Sequence, residues 1–447
     1  MRRSLLIIFL AILAPLSNAQ VRVRDLPLPG YEQRIRDFVD SLKIVDTHEH
    51  LFNPLFISKS TLIDFMLLLQ HFSYDDFVSA GLPKTTFNML VGDSLTVPEK
   101  WNIIKPFWDA SRNTGYNRVA LIAARDLFGV NDLNSLTVDK LSENIKNAYK
   151  TDWFSKLIVE KCRISSIILD AEDRTFVNDH IFYVKRFNNF LNIRTKYTVD
   201  STGMMQGKMI TSLEELVKSL ETSFIDAVSQ GIVAIKINIA YKRPLSFENV
   251  PADQAKKVFR ELMSTPEHSL LQFEKIKPLQ DYMLYRLLDL AKSYQVPVVI
   301  HTGLQAGNGN FIENAKPTLL TRLFIDYPDV NFVLYHGAYP YGGELAALAK
   351  NFKNVSIDLC WLYAISPSYS ERYLSEWLET VPVSKIMAFG GDYNNIENVY
   401  GELVIAKEII LRVLSQKVRD GFFSESEAKI FAKMILHDNA AAFYNIP

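Results

Sequence analysis

Two of the eight histidines in the chain, His48 and His50, stand one residue apart at the end of the run Ile44-Val45-Asp46-Thr47-His48-Glu49-His50-Leu51. The run reads as a β-strand. Side chains alternate faces along a strand, so Asp46, His48 and His50 are expected on one face and Val45, Thr47 and Glu49 on the other. Two imidazoles on one face of a strand end can hold one metal ion between them. Taken alone, the pair fits an ordinary polar strand end equally well. Its company strengthens it. Two further apolar runs end in His301 and His336, a third is followed by Asp392, and Lys236 lies inside a fourth. His71, His180, His268 and His437 carry no such signal and read as surface or core residues.

The elements that must position these groups alternate. Eight strands are expected: the first ending at His50, then 164–169, 181–184 (followed by Lys185 and Arg186), 232–239, 296–300, 330–335, 355–359 and 386–389. Helical patterns separate most of them, including 212–230, 251–263, 278–294 and 401–420. Alternation of this kind argues for parallel βα units, and eight of them favour a closed (β/α)8 barrel, the TIM barrel of the α/β class. Residues about 53–150 contain no strand array and read as a helical insertion after strand 1, with helices near 62–72, 74–80, 98–114 and 138–151. In such a barrel all C-terminal strand ends surround one mouth, so residues far apart in the chain would converge there. No glycine-rich phosphate loop follows any strand, which removes the main support for a nucleotide-binding alternative.

These residues resemble the amidohydrolase superfamily, in its amidohydrolase-related branch of metal-dependent TIM-barrel hydrolases. The resemblance rests on Val45-Asp46-Thr47-His48-Glu49-His50, His301-Thr302-Gly303, His336-Gly337 and Gly390-Gly391-Asp392, with the tail Ile435 to Ala440 similar to the closing helix of that group. The segment Trp101 to Gly129 is similar to helical insertions in the same branch, including relatives of uronate isomerases. The resemblance implies that His48, His50 and His301 ligate a divalent metal, with Asp392 a further ligand. Zn2+ is the first expectation, and Mn2+ or Fe2+ suit the same donors. A metal so held lowers the pKa of its water to about 7. Asp392 would then act as general base and afterwards as acid. His336 would polarise the substrate carbonyl or ligate a second metal. Lys236 would contact substrate, bridge two metals as a carbamate, or form a structural ion pair. Arg186, Tyr241 and Arg243 lie near strand ends and could bind a substrate carboxylate, which a guanidinium matches bidentately.

The first reading is therefore a metal-dependent hydrolase acting on a small-molecule carbonyl substrate, an amide, lactone or ester. A uronate-type isomerase or a decarboxylase on the same scaffold is the alternative, and a catalytically silent ligand-binding barrel is a third. With 49 basic and 50 acidic residues, the chain offers no basic excess for nucleic acid. Arg2, Arg3, the apolar run Leu5 to Leu16 and Ser17-Asn18-Ala19 form the pattern of a secretory signal peptide over residues 1–19. This predicts an exported, periplasmic or secreted protein with no membrane contact after cleavage. Only Cys162 and Cys360 occur, in apolar contexts, and are expected as buried free thiols. Assembly into a homo-oligomer is left open.

Overall fold

The computed structural model describes residues 30–59, 63–172 and 174–447. The signal-peptide segment expected over residues 1–19 lies outside the described residues. Eight parallel strands pair in chain order: β1 (Ile44–Glu49), β2 (Ile164–Leu169), β3 (Ile181–Arg186), β4 (Ile232–Ile237), β5 (Val298–His301), β6 (Phe332–Tyr335), β7 (Val355–Asp358) and β8 (Ile386–Met387). The ring is completed just beyond the short β8. Thr47 N donates to Phe389 O at 3.0 Å, Asp392 N to His48 O at 2.8 Å and His50 N to Tyr393 O at 2.9 Å. The first and last strands thus meet at a seam, and the architecture is a (β/α)8 barrel.

The interior is packed rather than hollow. Val45, Ile168, Val184, Ala234, Val299, Val333 and Met387 form one apolar cluster, joined by Ala440 and Tyr444 of the C-terminal helix Asn439–Tyr444. That helix closes the end opposite the mouth, where Asn439 Nδ2 donates to the carbonyls of Val383 and Ile386 at the start of β8. Tyr444 reaches inward until its hydroxyl lies 2.9 Å from that of Tyr335.

Strict alternation along β1 does not hold. Val45 belongs to the interior cluster, yet His48, expected on the opposite face, packs its ring 4.8 Å from the interior Tyr335. The pairing of β1 with β2 shifts between Asp46 and Glu49, and such an irregularity re-aims the side chains that follow it. It also brings Asp46 and Glu49 together. Burial raises both carboxyls, Asp46 to about 7, and the negative charge of Asp46 raises Glu49 further.

Between β1 and β2 lie the helices Pro54–Lys59, Phe72–Ser79, Phe87–Val91, Val97–Ser111, Gly115–Phe128 and Val138–Ala148. They carry an apolar core of their own around Trp101, Trp108, Phe65, Phe77 and Leu141. Within it Lys100 Nζ sits 2.6 Å from Asp64 Oδ2, both nearly sealed from solvent. The helix Gly115–Phe128 packs on the long C-terminal helix Ile396–Arg419. Gly401 allows this close approach, because a Cβ there would stand 2.4 Å from Val119 O.

Two expected boundaries move. Between residues 63 and 71 of the stretch expected as one helix over 62–72, the chain is helical as a short 3-10 turn at Phe65–Leu68, where Asp64 accepts from Met66 N. The helix expected from Pro278 begins at Phe273 instead and carries the proline inside it. Pro278 is the sixth residue of that helix, so its missing N–H leaves the carbonyl of Glu274 without an i−4 bond.

Candidate metal centre

Three ligand atoms converge at the mouth. His48 Nε2 and His50 Nε2 lie 3.1 Å and 3.2 Å from Asp392 Oδ1, and the three donors fall within 4.8 Å of one another. His48 and His50 come from the end of β1. Asp392 comes from the turn after β8, with its backbone in the left-handed region at φ 60°. Such a conformation in a non-glycine residue costs free energy that the surroundings must offset. Here Glu49 accepts from Gly391 N at 2.9 Å and from Tyr393 N at 2.7 Å, holding the turn on both sides of Asp392. Gly390 lets the turn pass β1, since a Cβ there would meet Cys360 Cβ and Thr47 Oγ1 at 2.7 Å.

The donor set fits a divalent cation. His50 Nδ1 lies 2.8 Å from the carbonyl oxygen of Asp170. A carbonyl only accepts, so Nδ1 carries the proton and the neutral ring turns the lone pair of Nε2 toward Asp392. A lone pair facing a carboxylate oxygen requires a proton or a cation between them. Burial opposes charging His50, but the hydrogen bond with Asp392 and the negative charges of Asp170 and Asp392 raise its pKa, which reports the same demand for positive charge. His48 is driven down to about 4 by burial and by the nearby Lys236, and so remains a neutral ligand. Burial disfavours charge on Asp392, yet His48, His50 and His336 hold it well below the usual carboxylate range.

His301 is expected as a third imidazole ligand, but it stands apart from this triad. Its Nε2 lies 2.7 Å from Leu304 O and therefore carries a proton. Its Nδ1 lies 2.9 Å from His336 Nε2. His336 Nδ1 in turn faces Cys360 Sγ at 3.3 Å and Asp392 Oδ2 at 3.8 Å. Burial lowers both imidazoles, His301 to about 3. His336 thus reaches the centre through His301 and Asp392. Lys236 Nζ lies 3.1 Å from His48 Nε2 and 4.1 Å above the ring of Tyr335. Burial lowers its pKa against the pull of Asp170 and Asp392.

A cavity of about 380 Å³ opens over the triad, lined among others by Arg186, Lys236, Tyr241, Lys242, Asn188 and Asn238. Arg186 points Nε and Nη2 at Asp170 Oδ2, at 3.0 and 2.7 Å. The Tyr241 hydroxyl accepts from Ala306 N at 3.0 Å. Arg243 does not join this wall. It is buried against Asp281, 2.7 Å away, and Gln280, so its guanidinium serves the packing behind β4. His71 does line the cavity, contrary to its reading as a surface or core residue. It enters from the insertion, stacked on Phe72, with Nδ1 buried and without a protein partner. Burial lowers it to about 4. No spacing in the sequence marks it, because its place depends on how the insertion folds over the mouth.

Residues 269–446 match the family described as Amidohydrolase. That stretch carries His301, His336 and Asp392, and the fold joins β1 to them. This C-terminal part of the chain is thus similar to that family. Among curated proteins, the chain is 26% identical over 250 residues to Protein fluG of Emericella nidulans, an alignment that covers 53% of the chain. The chain spans only 29% of that relative's length. Among solved structures, a candidate metal-dependent hydrolase from Lactobacillus casei aligns with TM-score 0.66 and 19% identity, over 92% of this chain and 97% of that one. A uronate isomerase from Thermotoga maritima aligns with TM-score 0.77 and 15% identity, over 93% and 97%. At these identities both likenesses show the fold alone.

Proposed function

We propose that this protein is a metal-dependent hydrolase of a small carbonyl compound, an amide, lactone or ester, that also carries an anionic group. The observation behind it is the convergence of His48, His50 and Asp392 on one point beneath a cavity whose charged lining is otherwise cationic. A bound divalent cation would be held by these three side chains and would supply Lewis acidity, lowering the pKa of a water in its shell to about 7. The chain's own groups do the rest. Asp392 Oδ1 lies closest to the two imidazoles and takes a proton from the attacking nucleophile. It then returns that proton to the leaving group. Arg186, fixed by Asp170, and Lys236 orient the anionic end of the substrate. His71 and Phe72 of the insertion cover the mouth and limit access of bulk water. Zinc is the first candidate for the ion, with manganese and iron suited to the same donors.

A second reading is a uronate-type isomerase or decarboxylase. Asn188, Asn192 and Asn238 give the cavity a hydroxyl-binding character, and a uronate isomerase shares the fold. Turnover in ¹⁸O-labelled water separates the two readings. Hydrolysis places one solvent oxygen permanently in the carboxylate product, seen as a mass increase, whereas isomerisation leaves product mass unchanged after exchange of the carbonyl is corrected. Export and the loss of residues 1–19 belong to the same proposal, tested by the N-terminus of the mature protein. Among the described residues, no helix is long and apolar enough to cross a membrane.

A further inference from the structure

We infer that the substrate carries an alkyl or aryl arm, which lies outside the polar cavity in a groove running from His50 past Phe52 and Phe56. This deepens the hydrolase reading and rests on its placing of the reacting carbonyl at the metal centre. The groove has a volume of about 410 Å³ and lies beside the polar cavity, with His50 lining both. The rings of Phe52 and Phe56 stand on its wall, 47% and 59% exposed. Single exposed apolar residues are ordinary, but two aromatic rings beside a ligand, on the segment leaving it, form a patch. Beyond Phe52 and Ile57 a second hollow of about 240 Å³ continues the apolar surface over Met66 and Leu67.

The groove is held open by the backbone. Phe52 N donates to Asn394 O at 2.9 Å, tying its backbone to the chain two residues after Asp392. Asn53 Nδ2 donates to Thr175 O at 3.0 Å, tying the opposite rim to the loop after β2. Asp170 is the one ionisable acidic group on this wall, and its carboxylate already faces Arg186. The two halves of the mouth therefore differ in kind. Cations and amides lie on the Arg186 side, and aromatic rings on the Phe56 side. A substrate with its carbonyl between them has a polar end and an apolar end, as in an N-acyl compound or an ester of a hydrophobic acid. A uronate has no group for the second half.

The test is calorimetric binding of acetate, butanoate, hexanoate and octanoate to the metal-loaded protein, its Phe56→Ser variant and its Phe52→Ser variant. Both rings are partly in solvent, so neither change empties the core. Affinity should rise about threefold per methylene in the native protein, by the free energy of burying CH₂ groups. That gradient should fall to less than half in either variant. Equal affinities from acetate to octanoate, or an undiminished gradient in both variants, would overturn the inference. So would a dimer that Phe56→Ser converts to monomer with the gradient intact, since the rings would then serve a second copy of the chain. Turnover of the matching N-acyl and ester series is a separate readout. Binding with the gradient but no turnover counts against hydrolysis and leaves the apolar arm standing.

Discussion

The imidazole of His50 and the backbone of Asp170 are joined at 2.8 Å, and the side chain of that same aspartate grips Arg186 at 2.7 Å. One residue at the end of β2 thereby orients a proposed metal ligand with its main chain and the proposed substrate-binding Arg186 with its side chain. The two duties are separable. Arg186→Met should leave bound metal unchanged and raise KM for an anionic substrate about 10- to 100-fold, the value of a charge-assisted hydrogen bond. Elemental analysis beside steady-state kinetics would show it. A loss of metal in this variant would count against the assignment.

Asp392→Asn and His48→Ala remove donors of the centre itself. Metal affinity in a chelator competition should fall by more than the about 10- to 100-fold that loss of an outer partner costs. Chelation of the native protein should abolish turnover while far-ultraviolet circular dichroism is preserved, because the barrel interior is packed by aliphatic side chains. Gly390→Ala should lower metal content as well. The added methyl meets Cys360 and Thr47 and must push the Asp392 turn away from β1.

Glu397 tests the pH dependence of stability. Burial raises its carboxyl to about 7 from 4.5, although Trp153 and Tyr149 donate to it. The folded state therefore binds more protons than the unfolded chain between these values. The contribution of Glu397 is fully present below pH 4.5 and is lost as pH rises through 7. The loss is about 3 kcal/mol, at about 1.4 kcal/mol per pH unit. Glu397→Gln should flatten this part of the profile, so urea unfolding at pH 5 and pH 8 should differ less in the variant than in the native protein. An unchanged difference would refute the assignment.

The insertion offers a stability test away from the mouth. Lys100→Met leaves Asp64 charged and sealed from water, and should cost about 3–5 kcal/mol. The double change with Asp64→Asn should recover part of this, because an amide oxygen can still accept from Met66 N. Thermal and urea midpoints of the three variants decide it.

The barrel was legible because β1, β5 and β6 are apolar runs ending in histidine, bounded by helices of clear period. β8 was harder. Only Ile386 and Met387 keep strand pairing, since the two glycines and left-handed Asp392 bend the chain across β1. The helix Gly115–Phe128 was not resolved from its neighbours, as its apolar face serves both the insertion core and the barrel. At the site, His48, His50 and Asp392 were readable from position at strand ends. Position did not reveal that His301 spends its nitrogens on Leu304 and His336, or that Asp281 draws Arg243 away. Partners of that kind lie tens of residues distant and declare themselves only on folding.

The seam between β1 and β8 has a consequence for biosynthesis. Two of the three donors precede the insertion and the third lies more than three hundred residues later. A nascent chain carrying every helix of the insertion still lacks the carboxylate that completes the trio. Acquisition of the proposed ion would therefore follow translation of the last strand and report that the ring has shut.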